Sequence, residues 1–138
     1  MKPWRLWLLS LLPLATTGYA APLNDLAPLQ WENRIILAWT DKPQALVKAL
    51  RRESAAVQER DIVWFVFSGG ATQSNYSGKL GDDFAAVMTE KYHRSTPQVL
   101  LIGKDGGVKD DESELLLKSL FQQIDAMPMR QREVQNGS

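Results

Sequence analysis

The residues with the most chemistry to offer are charged ones beside apolar runs. Lys104-Asp105 follows Val99-Leu100-Leu101-Ile102, Arg60-Asp61 opens the run Ile62 to Phe67, and Arg34 precedes Ile35 to Trp39. Arg130 and Glu133 stand near the C-terminus. The ends of buried strands are where open α/β sheets bind ligands. An arginine there offers a planar fork of donors to a carboxylate or phosphate, and a lysine offers a point charge. The functional expectation is a polar cluster drawn from Arg34, Arg60, Asp61, Lys104, Asp105 and Arg130 that grips an anionic ligand or a partner's carboxylate. The same residues also have a structural reading. In it Asp105-Gly106 makes a turn, Asp125 and Arg130 pin the C-terminus, and Arg60-Asp61 forms an ion pair. A hairpin end and a strand start need not share an edge, so the sequence leaves both open.

Composition removes other chemistries. The 138 residues include no cysteine and a single histidine. No disulfide, thiol nucleophile, redox dithiol or thiolate metal site can form. One histidine cannot build a multi-histidine metal site, and no complete nucleophile–base set is visible. Lys plus Arg equals Asp plus Glu at 16 each, so no basic excess points to nucleic acid. The weaker motifs also fall short. Gly69-Gly70 to Gly78-Lys79 has Gln73 and Leu80 where a phosphate loop needs glycine and a hydroxyl. Met127-Pro128-Met129 offers only two thioethers to copper(I), and methionine is a common gap filler. Asp110, Asp111, Glu112 and Glu114 lack calcium-loop spacing and read as the solvated start of a helix. His93 reads as a satisfied surface histidine. Asn75-Tyr76-Ser77 fits a glycosylation acceptor and otherwise reads simply as loop. Trp39, Trp64 and Phe67 sit in apolar runs and read as core. No cofactor and no metal is implied.

The first twenty residues have the layout of a secretory signal peptide. Lys2 and Arg5 are followed by an apolar stretch from Leu6 to Leu14, then small residues, with cleavage after Ala20. The apolar run is too short for a membrane anchor, which takes roughly 20 residues. Cleavage leaves 118 of the 138 residues, with 14 basic against 16 acidic side chains and a net charge of −2. That length suits one domain, residues 21–138, with no further membrane span. The expected location is periplasmic or secreted.

The elements that must position the charged residues follow from apolar patterning. Arg34 to Trp39 reads as a buried strand and Gln44 to Glu59 as one amphipathic helix. Asp61 to Phe67 is a continuous apolar run, suited to a central strand covered on both faces. Ser68 to Gly81 is polar and Gly-rich and reads as a long loop. Asp82 and Asp83 can cap a helix that carries Phe84, Val87, Met88 and Tyr92. Ser95-Thr96-Pro97 ends it. Val99 to Ile102 is a third buried strand, Asp105-Gly106-Gly107 a tight turn, and Val108 to Asp110 an edge strand. A last helix opens at Asp111 to Ser113, carries Leu117, Leu120, Phe121 and Ile124 inward, and stops at Met127 before Pro128. Gln131 to Ser138 is polar and reads as frayed.

Strands alternating with helices imply an α/β sheet covered by helices. The order β-α-β-α-β-β-α is that of a thioredoxin-like domain. Thr96-Pro97 lies where thioredoxins place a cis-proline, before a strand and turn. After the first strand, where thioredoxins carry two cysteines, the chain reads Trp39-Thr40-Asp41-Lys42-Pro43-Gln44, with the proline present and both thiols missing.

Four segments sharpen this. They are Trp31-Glu32-Asn33-Arg34, Glu59-Arg60-Asp61, the run Leu100 to Lys109, and Ile124 to Arg130 with Glu133. Together they resemble a bacterial family of domains of unknown function, number four-one-seven-four, also called the peroxiredoxin-like DUDES domain. Related domains occur in animal extracellular-matrix and sushi-repeat proteins. The resemblance implies a thioredoxin-like fold and carries no established activity. Two functional expectations remain. One is a non-redox exported module that binds a protein or small ligand in the cell envelope. The other is a cysteine-independent envelope enzyme or stress factor whose Arg, Lys and Asp side chains gather near Thr40 and Thr96.

Overall fold

The structure is a computed structural model that describes residues 21–137. The expected signal peptide lies outside the described residues. The three apolar runs become the three inner strands: β1 (Arg34–Trp39), β2 (Ile62–Ser68) and β4 (Gln98–Ile102). With β3 (Ala71–Ser74) and β5 (Val108–Glu112) they form one sheet in the order β3-β2-β1-β4-β5. β1 runs parallel to β2 and antiparallel to β4. Every residue of β1 and β4 is buried, which is why these runs show no polar alternation.

The period of two splits the core. Ile36, Ala38, Trp64, Val66, Val99 and Leu101 face one way. They pack under α1 (Pro43–Arg52), α2 (Ser54–Glu59) and α4 (Leu117–Asp125), which contribute Val47, Leu50, Val57, Leu120 and Ile124. Ile35, Leu37, Trp39, Phe65, Phe67, Leu100 and Ile102 face the other way. They pack under α3 (Phe84–Tyr92), through Phe84 and Met88, and under the N-terminal segment, through Leu23 and Leu29. Trp39, Trp64 and Phe67 are core residues, Trp64 on one face and the other two stacked together on the opposite one.

Several sequence expectations need correction. The stretch 68–81 is not all loop. Gly69 and Gly70 have φ of +55° and +81°, the left-handed conformations a two-residue hairpin turn requires, and they fold β3 back onto β2. The helix expected over 44–59 breaks at Glu53, so that Val57 turns back onto the sheet beside Leu50. Asp83 precedes α3, but its side chain makes no capping bond. The acidic run at 110–112 belongs to edge strand β5, where charge discourages pairing with another chain, and α4 starts only at Leu117. The C-terminus is also more ordered than expected. Pro128, at the first helical turn, opens α5 (Pro128–Asn136).

Candidate functional site

The register explains which charges meet. β1 and β2 are parallel and β4 is antiparallel to β1, so the starts of β1 and β2 share an end with the finish of β4. Arg34 lies opposite Ile62, Ile35 lies opposite Ile102, and the Arg34 amide donates to the Asp61 carbonyl at 3.0 Å. Arg34, Arg60, Asp61 and Lys104 therefore meet at one end of the sheet. α5 lies across it and adds Arg130 and Glu133.

Two linked ion-pair groups result. In the first, Glu133 sits between two buried cations. Arg34, 1% exposed, donates from Nη1 to Glu133 Oε2 at 3.1 Å and to the Arg60 carbonyl at 3.0 Å. Lys104, 8% exposed, donates from Nζ to Glu133 Oε1 and, at 2.9 Å, to Asp61 Oδ2. Burial alone would push the Glu133 carboxyl up. The bonds from Lys104 and Arg34 outweigh it and hold the group below the usual carboxylate value.

In the second group Asp125 takes both arginines. Arg60 grips it bidentately, Nε to Oδ1 at 3.0 Å and Nη2 to Oδ2 at 2.8 Å, and lies over the Phe121 ring at 4.6 Å. Arg130 donates from Nε to Asp125 Oδ1 at 3.2 Å, from Nη1 to the Glu59 carbonyl and from Nη2 to Glu59 Oε1, each at 3.0 Å. The Arg60 guanidinium is the main cause that holds the Asp125 carboxyl below its ordinary value. Burial pulls the Arg130 guanidinium down, but Asp125 and Glu59 outweigh that and raise it.

The neighbours Arg60 and Asp61 do not pair with each other, contrary to the structural expectation. Asp61 adopts φ +54°, and its carboxylate meets Lys104 while Arg60 meets Asp125. Asp105 is not part of the network. Its carboxylate pairs with Lys109 at 2.8 Å and accepts the Gly107 amide at 2.9 Å, as a turn residue would. Those two donors hold its carboxyl below the usual value. Asp105 instead lines a separate pocket of about 240 Å³ with Gln30, Asn33, Lys91 and Gly106. Glu59 was missed by sequence reasoning. Its one signal is its place immediately before Arg60-Asp61.

The other end of the sheet is different in kind. Trp39 finishes β1 there, with Thr40 and Asp41 just after it, and Thr96, joined to Pro97 by a cis peptide, precedes β4. With Phe67, Ser68, Gly69, Gly70, Ala85 and Thr89 they surround a pocket of about 180 Å³. Trp39 Nε1 donates to Thr89 Oγ1 at 3.1 Å, the Lys42 amide donates to Thr40 Oγ1, and His93 Nε2 meets Thr96 Oγ1 at 2.9 Å. His93 also packs against the Trp39 ring. At about 3.3 Å per residue, six-residue β1 separates this pocket from the ionic end by about 17 Å. The expectation that the charged residues gather beside Thr40 and Thr96 is thus overturned: the register carries Arg34, Asp61 and Lys104 to the opposite end. Among the described residues no group of three or more His, Cys, Asp or Glu is placed to hold a metal ion.

A mixed five-stranded sheet covered by helices, with a cis-proline ahead of β4, has the thioredoxin-like fold, here in a chain without cysteine. It is similar in fold to the crystal structure of the reduced 2-Cys peroxiredoxin of Plasmodium vivax, with a TM-score of 0.54 and 15% identity over 78% of this chain and 84% of that one. At that identity the likeness shows the fold alone. Residues 25–133 match the model of the domain of unknown function DUF4174, and the chain belongs to that family. No curated protein sequence matches it. The four segments that carried the family resemblance supply all eight residues of the two ion-pair groups.

Proposed function

We propose that this protein is an exported, non-redox thioredoxin-like module that binds a protein or small ligand in the cell envelope. The observation that carries the reading is the pocket at the C-terminal end of β1. It has a Trp39–Phe67 floor and a rim of hydroxyls from Thr40, Ser68 and Thr96, and no thiol stands beside it. An apolar floor with a few polar groups is the make-up of a ligand site, and at about 180 Å³, below the usual ~300–1,000 Å³, the hollow suits a single side chain or a very small molecule. The signal-peptide layout supports the envelope location, and a mature N-terminus at Ala21, read by mass spectrometry of the exported protein, tests it.

Thermal unfolding against metals, glutathione, haem, nucleotides, sugars and small carboxylates tests the pocket. A ligand at about a hundred times its Kd adds roughly 2.7 kcal/mol, or about 10 °C in a domain of this size. Ala85→Trp, which fills the pocket from α3, removes that rise, and Lys104→Ala leaves it. The opposite pattern would place the ligand at the ionic end. No rise with any compound moves the weight to a protein partner, to be sought by crosslinking in the intact envelope.

A further inference from the structure

The C-terminal helix is held to the domain by charge. α5 buries one side chain, Arg130, while its Val134 is 54% exposed. Apolar burial therefore contributes little to its attachment. Glu133 and Arg130 make the ion pairs that dock it. The cations that receive Glu133 do not depend on α5 for their placement. Arg34 is fixed by β1, and the Lys104 carbonyl accepts the Trp31 amide at 2.6 Å at the end of β4. They take opposite oxygens of a single carboxylate, Arg34 holding Oε2 and Lys104 holding Oε1. Arg34 Nε, in a side chain that is 1% exposed, has no hydrogen-bond partner, so Glu133 does not use all the donors present. A buried donor without a partner is unfavourable, and an occupant that reached Arg34 Nε would remove that penalty.

We propose that Arg34 and Lys104 form a carboxylate-binding site that Glu133 occupies in cis, and that a carboxylate ligand enters by displacing Glu133 and lifting α5. This does not rest on the pocket at the other end. Without Glu133 the two cations face only Asp61, which leaves a net positive charge suited to an anion. The carboxylate can belong to a small molecule or to an acidic side chain of a protein partner. In either case α5 acts as a competitor, and the affinity of the free site is reduced by the fraction of molecules in which α5 is undocked.

The test uses the whole chain. Isothermal titration with succinate should show binding to Glu133→Ala at least about tenfold tighter than to the unaltered protein, because the internal competitor is gone. Lys104→Met added to Glu133→Ala should abolish that gain. Equal affinity with and without Glu133, or a gain that survives Lys104→Met, overturns the proposal. A parallel measurement on the unaltered protein guards against a variant that fails to fold. Succinate should speed amide exchange across 129–136 more than sodium chloride of equal ionic strength. A peptide with the sequence of residues 126–137 forms the second arm of both measurements. Response to the peptide and not to succinate assigns the site to a protein segment, and response to both shows that a small carboxylate suffices. No response to either, with exchange in α5 unchanged, overturns it.

Discussion

The two ends of the sheet solve opposite problems with the same strands. At the start of β1 the chain gathers eight charged side chains, every cation facing a carboxylate, and lays a polar helix over them. At the finish of β1 it gathers aromatic rings and hydroxyls around a small hollow. The ionic end is closed and the hollow is open. Each depends on a different physical term, so each should fail under a different insult. Charge pairs that hold a helix answer to acid and to loss of a partner. A Trp-floored pocket answers to loss of packing and of single neutral hydrogen bonds.

The largest expected effect comes from Arg34→Ala. Removing one partner of a buried pair leaves the other uncompensated, at about 3–5 kcal/mol in general. Glu133 retains Lys104 and is partly exposed, so about 3 kcal/mol is the expected loss in chemical denaturation. A loss under about 1 kcal/mol would mean that α5 is not held through this residue.

Acid should separate the two ends next. The carboxyls of Glu133, Asp125 and Asp105 are all held below their ordinary values. A carboxyl whose pKa is lower folded than unfolded contributes stability above the unfolded pKa, and that contribution is lost as pH falls through the folded one. Arg34, Lys104 and Asp61 surround Glu133, while Arg60 and Arg130, with Glu59 bound to Arg130, surround Asp125. Stability should therefore fall as pH drops below the ordinary carboxylate range. Amide exchange in α5 should rise before exchange in β1 and β2. Simultaneous loss in α5 and the central strands would erase the proposed difference between the ends.

A double-variant cycle on Arg60 and Asp125 then asks how much one pair in the network contributes. The contact is bidentate but Asp125 is half exposed, so a coupling of about 1 kcal/mol is expected, at the top of the range for surface pairs. At the open end the matching probe is Thr89→Val, which keeps the shape and removes the acceptor of the Trp39 indole. It should cost about 1 kcal/mol and alter tryptophan emission while exchange in α5 stays unchanged.

What the sequence revealed follows from the same division. The inner strands were legible because burial on both faces leaves unbroken apolar runs at Arg34–Trp39, Asp61–Phe67 and Val99–Ile102. α3 and α4 showed their apolar faces through Phe84 and Met88 and through Leu120 and Ile124. α5 was not legible because its attachment is ionic and non-local: Pro-Met-Arg-Gln-Arg-Glu has no apolar period to read. β3 was hidden for another reason. Ala-Thr-Gln-Ser is a weak strand on its own, and only the Gly69-Gly70 turn signals it. Candidate charges at the strand ends could be named from position alone. Their pairing could not, because it required the strand register and the left-handed turn at Asp61.

The Asp105–Lys109 pair gives the smallest effect, through Lys109, and the sharpest boundary to the network. The Asp105 carboxylate bonds the Gly107 amide within the turn and pairs with Lys109, which lies four residues on and is exposed enough for water to compete. Lys109→Ala should cost no more than about 0.5 kcal/mol, the usual value of an exposed pair. Asp105→Ala should cost about 1 kcal/mol, because the amide of a tight turn then loses its acceptor. Neither should change amide exchange in α5, since neither side chain touches Glu133 or Arg130. If Asp105→Ala loosened α5 as much as Arg34→Ala does, the ionic end would extend through the β4–β5 turn. The pocket beside Asp105 and the network would then form one coupled unit, and the boundary of the ionic end would have to be redrawn around the turn at Gly106.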